Sequence, residues 1–153
     1  FSSRSKERML EIMKDSRIGS NGVLALIFDY GLMIAMGSYL PQPKWLIVAC
    51  LSMIGKVGLT IQLYKMRYAR ESGGSGNFFS GTKTSSILLA QLVPLAVLMA
   101  GFWLKGLLAY SLVILGTLAF RWFVYQKIDG ETGDTLGASV EVAQILFLIG
   151  MII

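Results

Sequence analysis

Long apolar stretches, separated by short polar breaks, make up most of this chain. Four of them are close to the ~20 residues that a helix needs to cross a bilayer, and a fifth is shorter. They lack the alternation of barrel strands, and in lipid a helix satisfies its own backbone polar groups. The pattern therefore predicts an all-α polytopic bundle of about five transmembrane helices in one domain (1–153). The predicted spans are 21–40, 44–63, 86–103, 106–124 and 138–153.

The segment before the first span has a different pattern. Between residues 5 and 18, apolar side chains group toward one side of a helix and charged residues occupy the other, and Gly19 follows as a C-cap residue. This pattern predicts an amphipathic helix at the membrane interface. The simplest role for it is a lead-in to the first span.

The composition indicates the class of protein, and the distribution of charge predicts its orientation in the membrane. Hydrophobic residues make up 54% of the chain and charged residues 15%, which is typical of an integral membrane protein. Lys44 and Lys105 fall on one side of the predicted membrane and Lys56 lies within a span, so eleven of the fourteen basic residues fall on the other side. The positive-inside rule predicts a multi-pass inner-membrane protein with its polar loops in the cytoplasm, and the net charge of +5 does not indicate nucleic-acid binding. The eleven are Arg4, Lys6, Arg8, Lys14, Arg17, Lys65, Arg67, Arg70, Lys83, Arg121 and Lys127.

Two features of the composition exclude much chemistry. The chain has no histidine, and its one cysteine, Cys50, lies within an apolar span. Disulfides within the chain, zinc sites of the usual His/Cys type and Ser-His-Asp or Cys-His catalysis are therefore excluded. Carboxylates, lysines and backbone groups remain, and these suit an oxygen-liganded cation such as Mg²⁺.

The segment 129–137 is the strongest candidate for such a cation site. It holds three carboxylates and three glycines directly before the last apolar stretch, and the glycines allow a large ligand to approach. Asp134 falls at or just before the predicted helix start, and Asp129 returns to it through the glycine turn. Glu141 lies two turns further along the same helix face, about 10 Å away by helical rise. The alternative is structural: a helix N-cap, a solvated turn and a glutamate at the membrane surface.

Two further polar segments precede it. Asp15 and Arg17 place a candidate metal or phosphate ligand beside a candidate phosphate-binding guanidinium at the entrance to the first span. The loop 68–79 combines Arg70 with several glycines, whose backbone N–H groups can approach an anion. A flexible connection between helices is the alternative for this loop.

Two ionisable residues lie inside the predicted spans. Asp29 and Lys56 each sit about 12 Å from the same end of the bundle by helical rise. An intramembrane charge is costly, so we expect Asp29 and Lys56 to pair or to line one polar cavity.

Three blocks of this sequence together resemble a known family. They are Lys6-Glu7-Arg8-Met9-Leu10-Glu11-Ile12-Met13-Lys14-Asp15-Ser16-Arg17-Ile18-Gly19 with Gly22-Val23, the glycine loop after Tyr68-Ala69-Arg70, and Asp129-Gly130-Glu131-Thr132-Gly133-Asp134 through Gly137 and Glu141. In this order and across this number of spans, they are similar to adenosylcobinamide-GDP ribazoletransferases, the cobalamin synthase family.

The resemblance implies a function. It implies a membrane-bound, Mg²⁺-dependent transferase that joins adenosylcobinamide-GDP to α-ribazole or its 5′-phosphate and releases GMP. It implies Mg²⁺ ligands at Asp129 and Asp134, with Asp15 as a further ligand, and catalytic roles for Asp129, Asp134 and Glu141. Substrate-binding roles follow for four residues: Arg17 and Arg70 on the diphosphate, and Gly133 and Gly137 in the acidic segment.

The family also has an aspartate-rich motif before the point at which this sequence begins, so we expect the chain to be a fragment whose site is incomplete. Other classes stay open, namely a Mg²⁺-dependent phosphotransferase of the CDP-alcohol type, a transporter subunit and an interaction subunit without a site. The bilayer and the two substrates are the expected partners, and the sequence leaves the oligomeric state open.

Overall fold

A computed structural model of the chain describes residues 4–15, 17–69 and 83–153. Four of its helices are long and apolar enough to cross a membrane. The part of the chain that is described contains no strand, only an isolated bridge between Tyr68 and Glu131. These findings confirm the all-α, multi-pass membrane fold. The helices are α1 (Lys6–Ile12), α2 (Ser20–Tyr39), α3 (Lys44–Leu63), α4 (Thr84–Ile128) and α5 (Gly133–Ile152).

The 45-residue helix α4 is a hairpin of two arms. Its helical geometry breaks at Trp103, which has φ 50° and ψ −131°. The Tyr110 hydroxyl donates to Gln91 Oε1 at 2.8 Å, although the two residues are 19 apart in sequence and would be about 28 Å apart in a straight helix. A Cβ on Gly106 would overlap the carbonyl oxygen of Leu98. The arms, residues 84–102 and 104–128, therefore run antiparallel, and the two spans predicted here are joined without a loop.

The core lies between α3, α5 and the arms of α4. Small residues allow close helix packing: a Cβ on Gly58 of α3 would lie 2.6 Å from the carbonyl oxygen of Ser139 and 2.7 Å from Cβ of Ala143 on α5. Large side chains such as Ile54 and Phe147 are fully buried beside this contact. By contrast, α2 buries only Met36 and exposes most of its large apolar side chains, as expected of a lipid-facing helix.

The polar ends of the helices meet at one end of the bundle. Arg121, near the end of α4, donates to backbone carbonyls at the end of α3. The segment after α3 pairs with the turn between α4 and α5, through Ala69 N to Glu131 O at 2.9 Å and Glu131 N to Arg67 O at 2.8 Å. We call this the basic end, since it holds the described members of the predicted eleven-residue basic group.

The predicted interfacial helix is shorter than expected. It was expected over residues 5–18, but α1 ends at Ile12, with Ser5 as its N-cap accepting a hydrogen bond from Arg8 N. It packs against α4. The helix α5 begins at Gly133, five residues before the predicted apolar span 138–153, because a side-chain cap at Thr132 starts it within the polar segment.

Candidate functional site

The turn between α4 and α5 is held by specific backbone geometry. Helix α4 ends at Ile128, and its C-cap residue Asp129 has a left-handed conformation (φ 54°, ψ 39°), which aspartate tolerates better than most residues. A Cβ on the next residue, Gly130, would lie 2.6 Å from the carbonyl oxygen of Arg67 and 3.0 Å from Ala69 N. Glycine is therefore needed for the turn to approach the segment after α3.

A reciprocal cap starts α5. Thr135 N donates to Thr132 Oγ1 at 3.3 Å, and Thr132 N donates to Thr135 Oγ1 at 2.8 Å. This capping box satisfies backbone donors that the first turn would otherwise leave open. Asp134 lies in that first turn with an exposed side chain, so its negative charge is placed at the positive end of the helix dipole. The prediction that Asp134 falls at the helix start is confirmed.

The inner side of the turn holds a buried acid, Glu131. Its side chain is fully buried, and Oε2 accepts a hydrogen bond from Thr135 Oγ1 at 2.6 Å. Burial raises the pKa of Glu131, and the Thr135 hydrogen bond and the positive charge of Arg121 oppose that shift. Within the described residues, Oε1 of Glu131 has no hydrogen-bond partner.

Arg121, whose charge acts on this acid, contacts the end of α3. Its guanidinium donates to the carbonyl oxygens of Ile61 at 3.0 Å and Tyr64 at 2.6 Å, and also to that of Gln62. The orphan carbonyls at a helix C-terminus need such donors, and the positive charge suits that end of the helix dipole. Sequence reasoning missed both Arg121 and Glu131 as structural residues. The available signals were an arginine at the end of an apolar stretch and a threonine pair at a helix start.

The outer side of the turn presents Asp129 and Asp134. Asp129 forms ion pairs with Lys6 at 3.4 Å and with Arg67 at 3.2 Å, and its side chain is about half exposed. Among the residues that the structure describes, no group of three or more acids or cysteines is arranged to hold a metal ion. Joint binding of one cation by Asp129 and Asp134 therefore stays a prediction.

The other predicted binding residues occupy separate places. Asp15 and Arg17 pair with each other, with Arg17 Nη2 at 2.8 Å from Asp15 Oδ2, and this contact lowers the pKa of Asp15. Gly133 is the first residue of α5, and a Cβ on Gly137 would meet nothing within 4 Å. Arg70 and the glycine loop lie outside the described residues.

Inside the bundle, Asp29 lies beside Glu141 and not beside Lys56. The two carboxyl groups are close enough across α2 and α5 to act on each other electrostatically. Within the described residues, no ion pair joins Asp29 to Lys56, whose side chain is exposed. The predicted Asp29–Lys56 pair is wrong because equal depth does not determine which way each helix faces, and α2 packs against α5. Glu141, a predicted catalytic residue, therefore has a second acid as its neighbour.

Comparisons with known proteins identify the relatives of this chain. A family model described as cobalamin-5-phosphate synthase matches residues 1–152. Three relatives are named adenosylcobinamide-GDP ribazoletransferase. The protein from Listeria monocytogenes is 43% identical over 100% of this chain, that from Clostridium novyi 39% over 99%, and that from Klebsiella pneumoniae 36% over 99%. The chain spans 62–63% of the length of these relatives. No solved structure matches it at a significant level.

Proposed function

The chain belongs to the cobalamin-5-phosphate synthase family, and from this membership we propose that the whole protein is a transferase of cobalamin biosynthesis. It joins adenosylcobinamide-GDP to α-ribazole or its 5′-phosphate and releases GMP. The observation that carries the proposal is the 43% identity to a ribazoletransferase over the full chain. The polar turn at the basic end supports it, because the turn offers exposed carboxylates next to basic side chains.

In the proposed reaction a hydroxyl group of the ribazole attacks the phosphorus that is attached to cobinamide. A new P–O bond forms, the phosphoanhydride bond to the GMP part breaks, and the hydroxyl proton passes to a base. Such reactions need positioning and neutralisation of phosphate charge more than covalent chemistry by the protein. Carboxylates and basic side chains can do this without histidine.

We assign Mg²⁺ binding to Asp134 and Asp129, with Asp15 as a further ligand. Mg²⁺ is usually bound by one or two carboxylates together with phosphate oxygens of the substrate, and the proposed carboxylates would bind it in this way together with the diphosphate. The ion would neutralise the charge of the diphosphate. If Asp129 held the ion, Lys6 and Arg67, which now pair with it, would be available to bind the diphosphate together with Arg17 and Arg70.

Two assignments concern access and proton transfer. Gly137, where a Cβ would meet no atom within 4 Å, leaves the α5 surface beside Asp134 open to a large substrate. Gly133 is the exposed first residue of the same helix. Glu141 accepts the ribazole proton or assists the metal, and Asp29 beside it modulates its charge. The basic end faces the cytoplasm of an inner membrane, since the basic residues gather there.

The test uses the full-length protein in membrane vesicles with adenosylcobinamide-GDP, α-ribazole and Mg²⁺. We expect GMP release that requires all three components and is matched by formation of the joined corrinoid. Omission of α-ribazole separates transfer from hydrolysis, and a CDP-activated alcohol tests the competing class of phosphotransferase. The absence of GMP release with every ribazole form would contradict the proposed function.

A further inference from the structure

A cavity opens at the basic end between α1, the end of α4 and the start of α5. Its volume is about 280 Å³. Met9 and Ile12 of α1 form one wall, and Phe123, Val124 and Ile128 of α4 form the other. Val124 and Ile128 are buried, so this wall belongs to the folded core. The walls are therefore apolar and include a thioether and an aromatic ring.

The edge of the cavity is polar. Arg4 and Lys127 line it, and the Lys127 ammonium lies 5.8 Å from the centroid of the Phe123 ring. Thr135 also lines the cavity, and it belongs to the first turn of α5 together with Asp134. An apolar space with two basic residues at its edge is suited to an amphipathic ligand that has a flat apolar part and an anionic part.

We propose that this cavity binds the benzimidazole base of α-ribazole, an inference that rests on the proposed function. The cavity is slightly below the ~300–1,000 Å³ of typical small-molecule sites, so it accepts a bicyclic base but excludes a corrin macrocycle. Thioether and aromatic side chains pack well against aromatic rings, as Met9 and Phe123 would here. Arg4 and Lys127 are placed to attract a phosphate on the ribose.

The position of the cavity agrees with the chemistry. Two of its lining residues, Ile128 and Thr135, are the immediate sequence neighbours of Asp129 and Asp134. A base held between α1 and α4 would therefore place its ribose at the α4–α5 turn. The apolar substrate and the carboxylates would then meet at the same turn, with the diphosphate approaching from the solvent side.

The direct test measures equilibrium binding of α-ribazole to the full-length protein in lipid nanodiscs. Met9→Trp fills the cavity, and Leu10→Trp is the matched control, because Leu10 is also a half-buried residue of α1 but does not line the cavity. We expect Met9→Trp to weaken α-ribazole binding about tenfold or more, with unchanged binding of adenosylcobinamide-GDP, and Leu10→Trp to bind as the wild type does. Equal binding by wild type and Met9→Trp, as expected if a lipid chain fills the cavity, would overturn the proposal, and so would equal losses in both variants.

A second variant tests the edge. Lys127→Met should weaken the binding of α-ribazole 5′-phosphate several-fold more than that of α-ribazole, because it removes a positive charge beside the phosphate. Lys65→Met, which changes a lysine outside the cavity, should affect the binding of neither ligand. Equal losses for the two ligands in Lys127→Met would overturn the placement of the phosphate. GMP release, measured in parallel, separates the two proposals. Ribazole binding that depends on Met9 without any GMP release would leave the cavity assigned and reject the transferase. GMP release with an unchanged KM for ribazole in Met9→Trp would support the transferase and reject the cavity as the ribazole site.

Discussion

The two sides of the turn between α4 and α5 differ in almost every property. On the inner side, Glu131 and Thr132 are fully buried, and the Glu131 backbone pairs with the segment after α3. Arg121 of α4 donates to the carbonyls at the end of α3. On the outer side, Asp134 and Gly137 are exposed. The inner side of this short acidic segment therefore connects α3, α4 and α5, and its outer side presents a carboxylate to solvent. Substitutions on the inner side should mainly lower the stability of the fold, and substitutions on the outer side should mainly lower the activity.

The largest loss of stability is expected for Arg121→Met. The variant leaves the carbonyls of Ile61 and Tyr64 without their donor and removes the positive charge near buried Glu131. A buried acceptor left without its donor costs about 1–3 kcal/mol, and Arg121 serves several carbonyls, so we expect a larger loss in the free energy of unfolding than for the other variants. Denaturation in detergent micelles, followed by circular dichroism, measures it.

Arg121→Lys is the matched control for this variant. It keeps the charge but lacks the planar fork that reaches several carbonyls, so it should recover only part of the loss. Wild-type stability in Arg121→Met would contradict the structural role given to the inner side.

The two glycines of the segment give the next comparison. Gly130→Ala should destabilise the protein by about 1–3 kcal/mol, because its Cβ would lie 2.6 Å from the carbonyl oxygen of Arg67. Gly137→Ala should be neutral or up to about 1 kcal/mol more stable, since its Cβ meets no atom within 4 Å and alanine favours a helix. Thermal unfolding of both variants checks this. Equal thermal unfolding midpoints for Gly130→Ala and Gly137→Ala would show that the turn does not need its contact with the segment after α3.

A pH-dependent effect is expected for Glu131→Gln. Burial raises the pKa of Glu131 above its ordinary value of 4.5, so the folded state holds this proton to a higher pH than the unfolded state does. The wild type therefore loses stability as the pH rises from 4.5 through the raised pKa, whereas the glutamine variant lacks this loss. Unfolding midpoints measured from acidic to neutral pH should diverge in favour of Glu131→Gln. Parallel profiles for the two proteins would contradict the buried-acid assignment, and Glu11→Gln on exposed α1 provides the control.

A small stability change is expected for Asp129→Asn. Its ion pairs with Lys6 and Arg67 are largely exposed, and such pairs contribute about 0–1 kcal/mol. GMP release should fall much more strongly, since Asp129 is proposed to bind Mg²⁺. If Asp129→Asn lost much stability while its folded fraction still released GMP at the wild-type rate, Asp129 would have a structural role like the residues of the inner side.

The helices were predictable because bilayer thickness and hydropathy constrain them directly. Even the hairpin of α4 was implied by two spans on either side of Trp103. The apolar span 138–153 is shorter than α5, since the Thr132 cap starts the helix at Gly133, within polar sequence that hydropathy does not recognise. The cap therefore adds a polar first turn to the helix without changing the number of crossings.

The contacts of the site were less predictable. Arg121 binds carbonyls 57 to 60 residues away, and nothing in the spacing of charges indicates such a contact. Asp29 and Lys56 failed as a pair because depth along two helices says nothing about their rotation. Asp134 was placed well, because a carboxylate at a helix start depends on neighbouring sequence alone.

The most direct test of the contrast between the two sides is Asp134→Asn in the full-length protein. Because Asp134 is exposed, we expect its loss to lower the stability by no more than about 1 kcal/mol, the contribution of a carboxylate at a helix start. GMP release should fall by about a hundredfold or more, the usual cost of removing a group that stabilises transition-state charge. Wild-type GMP release in this variant, or a loss of folding as large as that expected for Arg121→Met, would contradict the account.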